Sequence, residues 1–364
     1  MIYIVIFFVL FLTSLNEAKS NWLLSPIESD NRPYQKNANR RRAFYVCLIA
    51  LILFSGFRGK SIGIDTADGY YAHYLHVAAG GELEWEEPAW RAVNKIAVTL
   101  NLGYPGVLTL SSMMTLLPIG YALLKKCRNP CYGLFIYYGL YMTLYSFNLM
   151  RQCIAIAWVF LGIYFFERKN YVSTALAVAV AVLFHTSAVL AGLIIVFSKW
   201  RLNYPSVFLL FVMSFFIGLV LNESAFSLLL GKYAHYLNNM NGYAGFRNHM
   251  LLPVIFTAMV DLFFLALFSL RANDKVTDIW HKTTVLGIVI MNLTMRLGQG
   301  TRVVLYFSQA QAVFLPSYVE SLRSKQNRFT VKLLYFTFLF ANFMRNLLSQ
   351  TDSLIPYRFF WMDG

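Results

Sequence analysis

Between two apolar blocks the chain carries FRGKSIGIDTADGYYAHYLHVAAGGELEWEEPAWRAVNKIAVTLN, residues 57–101. In a sequence with few charges this stretch gathers six acids (Asp65, Asp68, Glu82, Glu84, Glu86, Glu87), four bases (Arg58, Lys60, Arg91, Lys95) and two histidines (His73, His76). A general base must come within hydrogen-bond reach of the proton it removes. Asp65, after the flexible Gly63-Ile64 pair and close in sequence to Arg58, suits deprotonation of a sugar hydroxyl; a solvated loop acid or a helix N-cap is its plainer alternative. Glu82 to Glu87, beside Trp85 and Trp90, could bind sugars or lie on a membrane surface. Four arginines stand at the ends of apolar runs: Arg58, Arg151 in SFNLMRQCIA, and Arg296 and Arg302 in TMRLGQGTRVVLY. Guanidinium forks match diphosphate oxygens better than lysine does. Any one of them could snorkel or pair with a loop carboxylate, so the set carries more weight than a member. His185, in AVLFHTSAV, ends a later apolar run as a helix-end hydrogen bonder or a site residue. It has no HExxH or paired-histidine spacing, and no metal site is expected.

The elements that must position these groups follow from composition. Hydrophobic residues make up 58% of the 364 and charged residues 13%, with a mean hydropathy of +0.54, whereas soluble domains carry roughly 25% charged residues. The expected fold is an all-α polytopic membrane protein, a single integral membrane domain over residues 1–364. The formal charge of +14 sits in short clusters between apolar runs, as the positive-inside bias produces, so no nucleic-acid partner is expected. Cys47, Cys127, Cys131 and Cys153 lie in or beside apolar runs and read as buried thiols.

About twelve spans (10–14) are expected, beginning with Ile2–Leu15 and Ala43–Phe57. Several fall short of the roughly 20 residues that cross a hydrocarbon core, so some are short or re-entrant. Alternating sides puts 20 of the 31 basic residues in cytoplasmic loops and both termini outside. The outer face then holds a catalytic loop at 58–103 and a loop at 222–249. It also holds all four arginines, where an unpaired cation costs several kcal/mol unless something anionic offsets it. Asp261 is the one acid deep in a span.

These segments, read in order, resemble the EpsG-type, Wzy-like polysaccharide polymerase family. The resemblance is carried by FRGKSIGIDTADGYYAHY, the EEPAW stretch with its following asparagines, NLMRQCIAIA, the late FH, TRVVLYF and the PY of LIPYRFF, and it spans nearly the whole chain. It implies a bacterial inner-membrane enzyme, similar to metal-independent glycosyltransferases of the GT-C class. Such an enzyme polymerises undecaprenyl-diphosphate-linked oligosaccharide repeat units at the periplasmic face, making O-antigen, capsule or exopolysaccharide. The donor and acceptor glycans, the bilayer, and a chain-length regulator and flippase would be its partners, and it would need no cofactor. Carried over, Arg58, Arg151, Arg296 and Arg302 would hold the diphosphate and Asp65 would act as base. His185 would join the catalytic set, and Gln152, Tyr306, Tyr70, Glu87 and Tyr357 would line the substrate pocket. A lipid-linked oligosaccharide flippase would instead line a path through the membrane with its cations and show internal repeats. A membrane O-acyltransferase would pair His185 with a carboxylate and meet an acyl donor from the cytoplasm.

Overall fold

A computed structural model describes residues 1–22, 38–221, 251–271, 276, 278–297, 300–349 and 353–363. The expected outer loop at 222–249, most of the stretch 16–42 and the Gly298-Gln299 turn lie outside these residues. The side chain of Asp68 does so too. Among the described residues the chain is helical and forms no strand. Two isolated bridges occur, Arg58 with Phe359 and Leu202 with Val276. Among the described residues three helices are long and apolar enough to cross a membrane: Gly103–Lys126, Met150–Glu167 and Leu251–Ser269. Shorter apolar helices cover Ile2–Leu15, Tyr171–Phe184, Thr186–Ser198 and Tyr204–Val220. The chain is an all-α membrane protein.

Two apolar runs of the sequence, Cys131–Leu149 and Val303–Val319, are broken into shorter helices. The run Cys131–Leu149 splits into Pro130–Gly139 and Met142–Tyr145 around Tyr141, whose φ of +69° ends the first piece. The run Val303–Val319 splits likewise into Gly300–Ser308 and Gln311–Ser321. Hydropathy reports what a segment can be buried in, and these backbone breaks leave that quantity unchanged.

The chain divides into two compact units, residues 1–189 with 315–364, and residues 190–314. In the first, α1 (Ile2–Trp22) packs on α6 (Pro130–Gly139), and α2 (Ala38–Gly56) packs on α5 (Gly103–Lys126). Next to α5 lie α8 (Met150–Glu167) and then α9 (Tyr171–Phe184). Lipid tails are as apolar as leucine, so close backbone approach and polar links hold such helices together. Gly162 on α8 lets the α9 residues Ala177 and Val178 approach to van der Waals distance, and Gly120 on α5 faces Leu48 on α2. Asn129 caps α6 by accepting from the Tyr132 amide at 2.7 Å, while its Nδ2 donates to the Ser14 carbonyl at 3.0 Å.

The expected catalytic loop folds into short helices. A π-helical turn (Thr66–Tyr70) runs into α3 (Tyr71–Ala78), and α4 (Pro88–Thr99) follows. Helix α4 buries Trp90, Val93, Asn94 and Ala97 along one stripe, the 3–4–7 spacing of an amphipathic helix, and packs that face on α3, α5 and α9.

In the second unit, α11 (Tyr204–Val220), α12 (Leu251–Ser269) and α13 (Ile279–Thr294) are tied by one buried amide. Asn292 Nδ2 donates to the Asp261 carboxylate at 3.0 and 3.2 Å, to Ser214 Oγ at 2.9 Å and to the Phe211 carbonyl at 3.2 Å. Asn292 therefore links three helices, with Asp261 as its acceptor on α12. The four cysteines are buried thiols.

Candidate active site

The chain leaves α2 at Gly56 and is pinned by the C-terminal segment. The Gly59 amide donates to the Arg358 carbonyl at 2.8 Å, the Phe360 amide to the Phe57 carbonyl at 3.0 Å, and Ser61 Oγ to Asp363 at 2.9 Å. This lacing buries Arg58, which is 1% exposed. Its guanidinium donates to the Ser55 carbonyl and to Met150 Sδ at 3.2 Å, and lies over the Phe147 ring at 4.4 Å. Burial lowers its pKa, and the hydroxyls of Tyr104, Tyr357, Tyr3 and Tyr70 lie near enough to oppose that. Tyr357 stacks on Phe54 at 4.6 Å and donates to the Phe54 carbonyl at 2.6 Å.

Gly63 then turns the loop back with a φ of +102°, and Thr66 Oγ1 donates to the Phe147 carbonyl at 3.1 Å. A Cβ at Gly63 would stand 2.7 Å from Thr66 Oγ1 and 2.8 Å from the Phe147 carbonyl. Gly63→Ala is therefore expected to cost more than about 1 kcal/mol, both through the positive φ and through this contact. Thermal unfolding of the purified variant checks it, and an unchanged midpoint would contradict the loop seating.

The loop seats on the junction before α8, and there the charged groups meet. Arg151 is the second residue of α8, where the helix dipole disfavours a cation. Its Nη1 is held by two carboxylates, Glu86 and Glu87, and the Tyr70 hydroxyl lies close enough to interact with its charge. Pro88 opens α4, and the residue before a proline is steered to extended backbone. Glu87 accordingly has ψ 144°, and its side chain makes no capping hydrogen bond. It reaches instead to His185, with Oε1 3.0 Å from Nδ1. His185 follows the last residue of α9 with φ −159°, so the helix stops where its imidazole meets Glu87. Behind this pair, His73 on α3 faces Glu86 Oε1 at 3.5 Å from Nε2, and Trp90 Nε1 on α4 donates to His73 Nδ1 at 3.3 Å.

The two adjacent glutamates are pushed apart electrostatically. For Glu87 burial raises the pKa, but the His185 hydrogen bond and the Arg151 charge outweigh it and hold the carboxyl down to about 2. For Glu86 burial prevails over Arg151, with Glu87 adding to it, and the pKa is raised. His73 is lowered by burial, then by Arg151 and His76, and burial pushes Tyr70 up to about 12. Glu87, with a folded pKa below its ordinary 4.5, stabilises the fold above pH 4.5, and that stability is lost as pH falls toward about 2. Glu86 has the opposite sign. Glu87→Gln is thus expected to flatten the acid loss of stability over that window, which urea titrations at stepped pH would measure.

Of the expected site residues, the first unit brings Arg58, Tyr70, Glu87, Arg151 and His185 around one junction, with Gln152 buried beside Arg151. Asp65 precedes the π turn, is exposed and makes no capping hydrogen bond. Arg296, Arg302 and Tyr306 belong to the second unit. There Arg296 is half-buried and donates to the Leu219 carbonyl at 3.0 Å, Arg302 is exposed, and Tyr306 is fully buried. Glu86, His73 and Trp90 received no individual site role from the sequence. The tandem Glu86-Glu87 before a helix-opening proline was the signal that could have marked the first. Among the described residues no group of three or more His, Cys, Asp or Glu side chains could hold a metal ion.

No curated protein and no solved structure matches the chain. A family model does, over residues 42–359, from the last arginine ahead of the α2 apolar run through the Arg58–Phe359 bridge. That range contains every residue of the cluster just described, and the chain belongs to the EpsG family.

Proposed function

We propose that this membrane protein is a polysaccharide polymerase. It would transfer a growing glycan from undecaprenyl diphosphate to the terminal hydroxyl of a lipid-linked repeat unit, at the periplasmic face of the bacterial inner membrane. The observation that carries the reading is the His185–Glu87–Arg151 constellation. A carboxylate that stays ionised and accepts from Nδ1–H fixes the imidazole tautomer and leaves Nε2 as a base. The acceptor hydroxyl oxygen attacks the anomeric carbon, and its proton passes to His185 Nε2. The bond from the anomeric carbon to the diphosphate oxygen breaks, and its electron pair leaves on that oxygen.

Arg151, already engaged by two carboxylates, organises them in this reading. Within the same unit, Arg58 adds to the positive potential that meets the leaving charge. In this reading side chains supply base and cations, and the transfer would be metal-independent. The spans would form a GT-C-like bundle of about twelve crossings, several of them short, with both termini periplasmic. A flippase would deliver the repeat units, and a chain-length regulator would act on the product.

The test reconstitutes the purified protein in liposomes with one lipid-linked repeat unit. A ladder of products supports polymerisation. Label transferred from acyl-coenzyme A would mean an O-acyltransferase, and movement across the bilayer without covalent change a flippase. Asp65→Asn is expected to keep most of the ladder; its loss there, with His185→Ala active, would return the base to Asp65.

A further inference from the structure

Trp90 and His73 take no part in the proton transfer above, yet both are built into its cluster. An indole N–H can only donate. With Trp90 Nε1 3.3 Å from His73 Nδ1, that ring nitrogen must keep its lone pair, and the proton of His73 sits on Nε2, 3.5 Å from Glu86 Oε1. An imidazolium has N–H groups on both nitrogens and would set one against the indole, so the Trp90 contact holds His73 neutral. Burial and the charges of Arg151 and His76 act in the same direction. The groups facing His73 are Trp90, Glu86, Arg151, His76 and, edge-on at 6.2 Å, Tyr70. Trp90 itself is fully buried and packs against Tyr70 at 5.1 Å, so the donor is rigid.

A neutral donor aims a carboxylate without cancelling its charge. Glu86 and Glu87 share one guanidinium, so with His73 neutral and Glu86 ionised the three together keep one net negative charge. Glycosyl transfer builds positive charge on the donor sugar's anomeric carbon as the diphosphate departs. A fixed negative group beside that carbon stabilises it. We propose that Trp90 and His73 are positioning residues that hold Glu86 as the carboxylate facing the donor sugar's anomeric carbon. The assignment rests on the polymerase reading. In the balanced step, the acceptor oxygen bonds to that carbon, its proton goes to His185 and the electron pair leaves with the diphosphate. Glu86 remains unbonded and unprotonated throughout.

The test is Trp90→Phe in the liposome assay, which keeps an aromatic ring against Tyr70 and removes the N–H. The expected result is a fall in kcat of about 10–100-fold, KM for the repeat unit unchanged, and an acid limb displaced upward in pH as His73 becomes free to protonate. Wild-type kcat with a wild-type pH profile, or a change confined to KM, would overturn the assignment. Should Trp90→Phe fail to fold, His73 gives a second test. His73→Gln retains an N–H that can reach Glu86, so it is expected to keep more kcat than His73→Leu, and equal losses would refute the proposal. If the wild-type protein makes no ladder, the polymerase reading itself falls. If it does and Trp90→Phe matches it, only the positioning role falls.

Discussion

Replacing His185 by alanine is expected to lower chain elongation by about 10²–10⁴-fold, the usual contribution of a positioned general base. The imidazole is about a quarter exposed, and its Nδ1 is anchored 3.0 Å from Glu87, so the variant removes the proton acceptor without opening a core. Glu87→Gln should approach the same loss by a different route. It keeps the side-chain volume but withdraws the negative charge that selects the tautomer and stabilises the imidazolium formed during transfer. Because both variants act on one unit, the double variant should be scarcely worse than either single one. The measurement is the rate of ladder formation from a lipid-linked repeat unit at saturating substrate. Half or more of the wild-type rate in His185→Ala would remove the imidazole from the chemistry.

The largest expected effect on stability belongs to Arg151. Its guanidinium separates two carboxylates whose side chains are only 8% and 15% exposed. Arg151→Ala leaves those like charges facing each other in a partly buried site, and breaking such a pair costs about 3–5 kcal/mol. The pH dependence should shift as well. Without the cation, burial and Glu87 raise the Glu86 carboxyl further, and Glu87 keeps the His185 hydrogen bond against its own burial. The Glu86 contribution to stability is then present below its ordinary pKa and lost as pH rises through the raised folded value. Thermal unfolding in detergent should therefore show a variant that is weak near neutrality and recovers on mild acidification. Arg151→Lys, which keeps the charge but not the fork, should fall between. An alanine variant with the wild-type midpoint at neutral pH would mean that the two glutamates are not held by this arginine.

Much of this arrangement could be read from residue types. Arg151 in NLMRQCIA was conspicuous because an arginine at a span end on the disfavoured side needs an anionic neighbour. The anion the structure supplies is a pair of glutamates from 65 and 64 residues earlier in the chain. Asp65 and Glu87 looked alike as loop acids. They differ in what their backbone permits. Pro88 turns Glu87 out of the helix and onto His185, while Asp65 opens a π turn and stays exposed. Trp85 and Trp90 likewise looked equivalent, yet one is 67% exposed and the other fully buried, with its N–H spent on His73. Arg58 gave no sign that it would be enclosed, because the strands of chain that cover it come from the far C-terminal segment, and local pattern is blind to such a partner.

By itself the sequence determined that this is an all-α membrane protein of the EpsG kind, because hydropathy, charge bias and motif order are local quantities written in composition and spacing. Only the tertiary structure decided which acid meets which base. Glu86, Glu87, His73, Trp90, Arg151 and His185 come from α3, the turn before α4, α4, α8 and the end of α9, and a hydrogen bond of 3 Å between residues 98 positions apart depends on how those helices pack.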